Sequence, residues 1–390
     1  MEKVRIGDVC EVLNGYAFKS EKYVDKGIRI IRITNVQKGF IEDKEPQFYP
    51  IEKKTEIEKY MLQDDDLLIS LTGNVGRVAL LEERYLPAAL NQRVGCLRIK
   101  DKNILKSFLF HCLNSDYFEN KCIVSAKGVA QKNMSTEWLK ELKIPLLPVS
   151  EQESISNTLD KMDKLISIRK QQLGKLDELV KARFVELFGT LNDNEKGLDI
   201  VSIEELCTLI KDGTHLTPTY TEDKQNGFKF LSSKDVMTQK ICWDDIKYIP
   251  AELHEKLYAT IQPQRNDILM SKNGVNYGVA AVNDTDEVFD IYVSLALLRP
   301  RTDRVNPVYL WCAINNPDTK RQFDSSIKGI GVPNLHLGEI KKTKLLLPPR
   351  SKQNEFVAFV EQTDKSKLAI QQSLDKLVLL KKALLQEFFG

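Results

Sequence analysis

The sequence lacks both an apolar run of membrane-spanning length and an apolar segment of signal-peptide length at its start. Its longest apolar stretch, near residues 288–298, is too short to cross a bilayer. This pattern predicts a cytoplasmic protein that does not contact membranes. Apolar residues at 42% and charged residues at 29% are ordinary for a globular chain, which excludes wholesale disorder.

Cysteine and histidine are too scattered to indicate a disulfide framework or a metal site. The seven cysteines are an odd number without a C-x-x-C pair, and the four histidines form no cluster. Cys10 and Cys207 lie in matching contexts, VRIGDVC and VSIEELC, and we interpret them as small core residues. No bound metal is predicted.

Catalytic signatures are missing as well. There is no phosphate-binding G-x-x-x-x-G-K-[ST] loop, and His254-Glu255 lacks the second histidine of a zinc-protease helix. The segment 306–309 (NPVY) shares two residues with the Asn-Pro-Pro-aromatic motif of amino-methyltransferases, but it lacks the second proline and an accompanying Gly-rich cofactor loop. We therefore predict a chain that is not an enzyme and carries no cofactor of its own.

A surplus of basic charge is also absent. The formal net charge is +2, whereas a protein that binds DNA alone usually shows a visible excess of Lys and Arg. Net charge therefore leaves a nucleic-acid partner open without supporting it.

What the sequence does contain is a tandem repeat. Residues 143–189 return without a gap, 201 residues later, as residues 344–390. The same offset aligns identical residues in the repeat and in the preceding segments, among them Asp66/Asp267, Ser70/Ser271, Gly73/Gly274, Gln152/Gln353, Asp163/Asp364 and Gly189/Gly390. A doubled unit predicts pseudo-two-fold symmetry, and duplex DNA has that symmetry too.

Each repeat opens with a segment in which short β-rich runs alternate with turns. Runs rich in Ile, Val, Leu and Thr and bounded by Gly, Asn and Asp predict strands within 28–36, 66–74, 93–99, 228–236, 267–275 and 293–300. Helical patches lie between them at 105–118 and 308–323. We predict two similar mixed α/β domains at 1–149 and 190–350, the second with a short polar linker at 190–200.

The pattern after each domain predicts a long helix, at 150–189 and 351–390. Ser150 followed by Glu153 indicates a capped start. Apolar residues at alternating steps of three and four predict a coiled-coil seam, formed by Leu159, Met162, Ile166, Leu173, Leu176 and Val180 in the first helix and by Ile370, Leu374, Leu377 and Leu384 in the second. Thr363, Lys367 and Lys381 weaken the second stripe.

Helix length favours pairing of the two helices. A helix of about 38 residues is about 57 Å long, whereas a globule of about 150 residues has a radius of gyration near 15 Å. A single copy would favour packing on its own domain, but two copies favour each other. The predicted fold class is α+β, with two similar mixed α/β domains separated by two long helices that form an antiparallel coiled coil, in a pseudo-two-fold symmetric arrangement.

Matched loops on the two domains carry different polar side chains. Asn and Gln can bond adenine edges, and Arg and Lys can bond guanine. Taken singly, each is an ordinary turn residue. On duplicated domains they are candidate DNA-binding residues: Thr72, Asn74, Arg77, Lys127, Gln131 and Asn133 in the first, and Lys272, Asn273, Asn276, Tyr277, Lys328 and Asn334 in the second.

Over its whole length, this arrangement resembles the specificity subunit of type I restriction-modification systems. The resemblance rests on the V-x-I-x-x-x-C type entry to each domain, on the K-G-x-x-x-x-N element before each helix, and on residues 145–155 (PLLPVSEQESI) at the first helix. The second copy departs from this pattern, because Lys352 replaces Glu151 and the proline pair is shifted to Pro348-Pro349.

The resemblance implies a non-catalytic subunit that binds double-stranded DNA. Each target recognition domain would read one half of a bipartite asymmetric target, and the helices would set the spacing. Two methyltransferase subunits, which bring S-adenosylmethionine, would dock on the domains and helices, and motor-nuclease subunits would use ATP and Mg. The alternatives are a duplicated scaffold protein that does not bind DNA, and a stand-alone DNA methyltransferase or nuclease.

Overall fold

The computed structural model describes residues 2–126, 133–327 and 333–390, which fold as two compact units. The first unit is Met1–Gln171 with Ile370–Gly390, and the second is Gln172–Ala369. Each unit thus combines one domain with part of each long helix. In the described ranges, no helix has both the length and the apolar content needed to cross a membrane.

The first half of the chain carries one domain and the first long helix. Short 3-10 helices at Ser20–Lys22, Ile51–Tyr60 and Glu83–Tyr85 interrupt its strands. The elements are β1 (Glu2–Arg5), α1 (Ile6–Val9), β2 (Cys10–Asn14), β3 (Ile28–Ile31), β4 (Val36–Gln37), β5 (Phe40–Ile41), β6 (Phe48–Tyr49), β7 (Leu67–Ser70), β8 (Val78–Leu80), β9 (Ala88–Leu90), β10 (Val94–Ile99), α2 (Lys106–Leu113), α3 (Asp116–Ser125), α4 (Thr136–Glu141), β11 (Lys143–Leu146) and α5 (Val149–Phe188).

The second half follows nearly the same order, with one 3-10 helix at Ser233–Val236. Its elements are β12 (Asp199–Ser202), α6 (Ile203–Leu206), β13 (Cys207–Asp212), β14 (Phe228–Leu231), β15 (Lys247–Ile249), α7 (Ala251–Tyr258), β16 (Ile268–Ser271), β17 (Ala280–Val282), β18 (Phe289–Ile291), β19 (Leu295–Pro300), α8 (Pro307–Ile314), α9 (Pro317–Ser326), α10 (Leu337–Lys342), β20 (Lys344–Leu347) and α11 (Arg350–Phe389).

The two domains share one sheet topology. A four-stranded antiparallel sheet has the order β2-β10-β7-β8 in the first and β13-β19-β16-β17 in the second. A three-stranded mixed sheet, β6-β3-β9 or β15-β14-β18, accompanies it. In both units the first strand pairs with the strand that precedes the long helix, β1 with β11 and β12 with β20.

The central strand of each large sheet is buried on both faces. Leu67 and Ile69 of β7 pack into the core formed with α2 and α3, while Leu68 packs into a second core with Ala79 and Cys96. In the second unit, Ile268 and Met270 of β16 face one core and Leu269 faces the other. A strand covered on both faces reads as a continuous apolar run, which explains why these segments could be predicted.

Each predicted helical patch is two helices rather than one. The first patch breaks at Asn114-Ser115, where the Ser115 hydroxyl accepts a hydrogen bond from the Phe118 amide at 3.2 Å and caps α3. The second breaks at Asn315-Asn316, where the Asn316 side chain accepts from the Asp318 amide at 2.9 Å. Both patches are helical, as predicted, and these side-chain caps determine where each one divides into two helices.

The two long helices run antiparallel to each other within each unit. In the second unit, Lys367 lies 2.6 Å from Asp177, and Arg183 lies 3.2 Å from Glu355. In the first unit, Lys381 pairs with Asp163. The two lysines expected to weaken the seam thus meet carboxylates of the other helix. All ten predicted seam residues are buried or half-buried. Because α5 begins at Val149, Ser150 lies within its first turn and is not the cap.

A buried glutamine in the first turn of each long helix holds that helix to its own domain. Gln152 accepts a hydrogen bond from the Leu105 amide at 2.9 Å and donates to the carbonyls of Asn103 and Leu147, both at 2.8 Å. Gln353 accepts from the Asn306 amide at 2.8 Å and donates to the carbonyls of Arg304 and Pro348 at 3.2 and 2.9 Å. These contacts account for the identity of the two glutamines in the repeat.

Replacing Gln152 with leucine is expected to lower the free energy of unfolding of the first unit by about 3 kcal/mol or more. The substitution leaves one amide and two carbonyls without their partner in a site where Gln152 is fully buried, and each unpaired group costs roughly 1–3 kcal/mol. Urea unfolding followed by circular dichroism measures the change.

The matched control is Gln171→Leu, which changes an exposed glutamine of the same helix. It is expected to leave stability within about 0.5 kcal/mol of the parent. Equal effects from the two variants would contradict an anchoring role for Gln152.

Candidate functional site

One end of each large sheet gathers four chain segments that are far apart in the sequence. In the first unit these are Gly15-Tyr16, Leu71-Thr72, Gln92-Arg93 and Asn133-Met134, which we call the first platform. The last two strand residues before it are Asn14 of β2 and Ser70 of β7, and β10 begins at Val94. Alternating strand direction brings these loops to the same end of the sheet.

Backbone hydrogen bonds join the four segments of the first platform. The Gln92 amide donates to the Tyr16 carbonyl at 3.0 Å, and the Leu71 amide donates to the Arg93 carbonyl at 3.0 Å. The Met134 amide donates to the Leu71 carbonyl at 2.8 Å, and Thr72 forms a bridge with Asn133. The structure thus brings together two candidates, Thr72 and Asn133, that are distant in the sequence and separated by β8, β9, β10, α2 and α3.

The second unit repeats this construction. Its second platform consists of Gly213-Thr214, Lys272-Asn273, Val293-Ser294 and Asn334-Leu335. The Val293 amide donates to the Thr214 carbonyl at 2.9 Å, the Lys272 amide to the Ser294 carbonyl at 2.9 Å, and the Leu335 amide to the Lys272 carbonyl at 2.8 Å. Asn273 forms a bridge with Asn334, as Thr72 does with Asn133.

Each platform includes the whole loop that projects from it, residues 71–77 between β7 and β8 in the first and residues 272–279 between β16 and β17 in the second. A buried serine closes each loop. The Ser70 hydroxyl donates to the Asn74 carbonyl and accepts from the Arg77 amide at 3.0 Å. The Ser271 hydroxyl donates to the Asn276 carbonyl at 2.7 Å and accepts from the Val279 amide at 3.1 Å. The second loop is therefore one residue longer than the first.

Each loop turns at a glycine with positive φ. The angle is +67° at Gly73 and +85° at Gly274, a region in which residues with a Cβ are strained. The two loops therefore share this turn, but they differ by one residue in length and in the side chains that they present.

The first platform presents amides and two arginines, Arg77 and the exposed Arg93. Asn74 and Asn133 are exposed, while Thr72 and Arg77 are half-buried. The Arg77 guanidinium donates to the side-chain oxygen of Gln37 at 2.5 Å, so the β4–β5 hairpin orients it.

The second platform presents amides and a tyrosine. Asn276 and Asn334 are exposed, and Asn273 is half-buried. The Tyr277 hydroxyl donates to Asp324 at 2.6 Å, and this hydrogen bond raises the pKa of the phenol. The Lys320 ammonium lies 3.4 Å from the centre of the Tyr277 ring. Lys272 is only 5% exposed and pairs with Asp212, so it supports the platform from inside.

Three candidates, Lys127, Gln131 and Lys328, lie outside the described residues. The structure adds a segment that sequence reasoning missed, the turn that contains Gln92 and Arg93 and its counterpart Val293-Ser294. The sequence did contain a signal for this turn. Residues 91–93 (NQR) align with residues 292–294 (YVS) at the repeat offset, so the two copies carry different side chains here, as they do in the other candidate loops.

Two of the cysteines, Cys10 and Cys207, were interpreted as core residues. Cys10 and Cys207 are 1% and 5% exposed, which confirms them as core residues. Burial raises the pKa of each of these thiols to about 12, so neither is a thiolate at neutral pH. All seven cysteines are free of disulfides.

One known protein family matches most of this chain. The model of the type I restriction modification DNA specificity domain matches residues 1–178 and 195–379. The chain belongs to that family. The predicted resemblance is thereby confirmed, and so is the expectation that the chain is a specificity subunit rather than an enzyme.

Relatives of this specificity subunit cover almost its entire length. The type I restriction enzyme EcoBI specificity subunit of Escherichia coli is 23% identical over 386 residues, which span 92% of this chain and 78% of the relative. The crystal structure of the type I restriction-modification S subunit from M. genitalium aligns with a TM-score of 0.55 at 16% identity, covering 100% of this chain and 96% of that one.

A second solved structure comes from work on complex assembly and conformational transition of the type I restriction-modification system. It aligns with a TM-score of 0.58 at 17% identity and covers 99% of this chain and 97% of that one. Together with the family match, these likenesses confirm the predicted fold class.

Proposed function

We propose that each domain of this specificity subunit reads one half of a bipartite, asymmetric DNA target, with the two platforms as the reading surfaces. The observation that carries the proposal is that the same backbone hydrogen bonds build both platforms, whereas their exposed polar side chains and the lengths of their loops differ. A shared scaffold with different side chains and loops is suited to selecting different bases. In this proposal residues 1–149 and 190–350 are the two target recognition domains, and residues 150–189 and 351–390 are the two spacer helices.

The contacts to bases would come mainly from exposed amides. Asn74 and Asn133 in the first platform and Asn276 and Asn334 in the second have the donor and acceptor pair that matches the edge of adenine. Thr72, Arg77, Asn273 and Tyr277 flank them, with Lys127, Gln131 and Lys328 as further candidates. Lys272 acts indirectly, because its ammonium is committed to Asp212.

The long helices set the distance between the half-sites and dock the methyltransferase subunits in this proposal. Their seam side chains are buried or half-buried, yet other large apolar side chains on them stay exposed. In the first unit Leu165 is 42% and Leu379 is 69% exposed, and in the second Leu368 is 61% exposed. Val378 and Leu380, which flank Leu379, are exposed as well, and a cluster of exposed apolar side chains supports a protein-docking role. Motor-nuclease subunits would join the same complex on DNA.

The experiment that tests the proposal compares adenine methylation of the host genome with and without the gene. Deletion is expected to erase one bipartite motif, and complementation is expected to restore it. Complementation with Asn276→Ala should relax the choice of base in one half of the motif, because only the second platform loses an amide. Asn74→Ala should relax the other half.

Unchanged methylation after deletion, in a strain with an active partner methyltransferase, would remove the proposal and favour a scaffold role. Relaxation of both halves by a single platform variant would contradict the assignment of one half-site to each domain.

A further inference from the structure

The turn between β9 and β10 in the first platform has a fixed backbone and two free side chains. The Val94 amide donates to the Asn91 carbonyl at 2.9 Å, and the Arg93 amide donates to the Asn91 side chain at 3.3 Å. Asn91 is only 7% exposed, so the turn is anchored from inside. Gln92 and Arg93 are both exposed.

The contacts of Arg93 set it apart from neighbouring arginines. Arg29 and Arg98 are held by Asp43 and Asp66, and Arg77 is held by Gln37. Among the residues that the structure describes, the guanidinium of Arg93 meets no carboxylate or other hydrogen-bond acceptor. A fork of five donors is therefore displayed on a rigid turn beside Thr72 and Asn133.

We infer that Gln92 and Arg93 form a second base-reading element of the first domain, and this inference rests on the proposed function. Arg93 has the geometry to bond the O6 and N7 atoms of a guanine with two parallel hydrogen bonds, and Gln92 can bond the N6 and N7 atoms of an adjacent adenine. Because the backbone of the turn is already fixed, binding has to order only the two side chains and not the chain itself.

The second domain lacks this element. The counterparts of Gln92 and Arg93 are Val293 and Ser294, which are half-buried, and the Ser294 hydroxyl accepts a hydrogen bond from the Ser233 amide at 3.0 Å. A short apolar residue and a serine committed to the fold cannot reach base edges in the same way. The turn therefore contributes to one half-site only.

The test uses the full chain with its partner methyltransferase in the host, and compares Arg93→Ala, Arg93→Lys and Gln92→Ala by methylome sequencing. We expect Arg93→Ala to reduce discrimination at one base pair of one half-site by about 5- to 150-fold, the range for loss of one bidentate base contact. Arg93→Lys should lose most of the same discrimination, because a point charge does not replace a fork. Gln92→Ala should relax a neighbouring position, and the other half-site should be unaltered in all three variants.

Lys102→Ala is the matched control. Lys102 is exposed and follows the opposite end of the same strand, β10, so this variant removes one positive charge away from the platform. It is expected to leave the motif unchanged. The melting temperature of each variant is compared with that of the parent, and equal values would show that the fold is intact.

Three outcomes would overturn the inference. In the first, Arg93→Ala weakens methylation equally at all sequences and Arg93→Lys behaves like the parent, as expected of a phosphate contact. The second is an effect on both half-sites, and the third is no change in the motif. If the parental chain directs no bipartite methylation, it is the proposed function that has failed, and this inference falls with it.

Discussion

Inserting one heptad into each long helix is expected to lengthen the gap between the two half-sites by about 3 base pairs and to leave both half-sites unchanged. The insertions are placed between Gln171 and Gln172 and between Ala369 and Ile370, where the division between the units crosses each helix. Seven residues add about 10.5 Å at 1.5 Å per residue, which corresponds to about 3 base pairs at 3.4 Å each. The expected motif is read by sequencing the methylated host genome.

A heptad is the right increment because it preserves the seam. Its apolar positions return to the same face after two turns, so the antiparallel contacts, such as Lys367 with Asp177, keep their register on both sides. The control is an equal insertion between Glu195 and Lys196, in the polar segment between α5 and β12, which leaves helix length unchanged. Altered half-sites with an unaltered gap would contradict the proposal that the helices set the spacing between the half-sites.

Replacing Asp267 with alanine is expected to lower the free energy of unfolding of the second unit by about 3 kcal/mol. Asp267 is 1% exposed and accepts hydrogen bonds from the Nε and one terminal nitrogen of Arg299, at 2.9 and 2.8 Å, and from the Gln264 amide at 2.8 Å. Removal leaves a partly buried guanidinium without its carboxylate, and breaking such a pair costs roughly 3–5 kcal/mol when both groups are buried. The lower end applies because Arg299 is 26% exposed.

Urea unfolding monitored by tryptophan fluorescence measures this change, since Trp243 and Trp311 lie in the second unit. The matched control is Asp286→Ala, which removes the carboxylate of an exposed pair with Arg265 that has similar two-point geometry. No measurable shift is expected there because solvent screens the pair. Equal shifts of the unfolding midpoint in the two variants would contradict the idea that burial makes the Asp267–Arg299 pair more stabilising than an exposed pair.

The same construction in the first unit predicts the same result there. Asp66 accepts from Arg98 at 2.9 and 2.7 Å and from the Gln63 amide at 2.8 Å. This duplication explains why Asp66 and Asp267 are identical at matched positions of the repeat. The repeat in the sequence singled out the two aspartates. Their arginine partners lie on later strands, β10 and β19, and only the strand register brings each arginine next to its aspartate.

The candidate site was predictable in part. The loops at 72–77 and 273–277 could be nominated because they follow apolar runs, share a glycine at matched positions (Gly73 and Gly274) and carry amide or basic side chains or a tyrosine. The turn at Gln92-Arg93 was missed because adjacency in a sheet joins residues that local patterns do not connect. The burial of Lys272 was also not foreseen, since its partner Asp212 lies far earlier in the chain, at the end of β13.

The division between local and long-range information follows from the physics of each. Internal repetition and apolar periodicity can be read along the chain, and they led to the duplicated domains and the long helices. The family was indicated by a resemblance in short motifs, such as residues 145–155. Where each helix breaks depended on capping by Ser115 and Asn316. Which polar side chains share a surface depended on tertiary structure, because strand pairing and burial decide which donors are satisfied internally and which remain free for a partner.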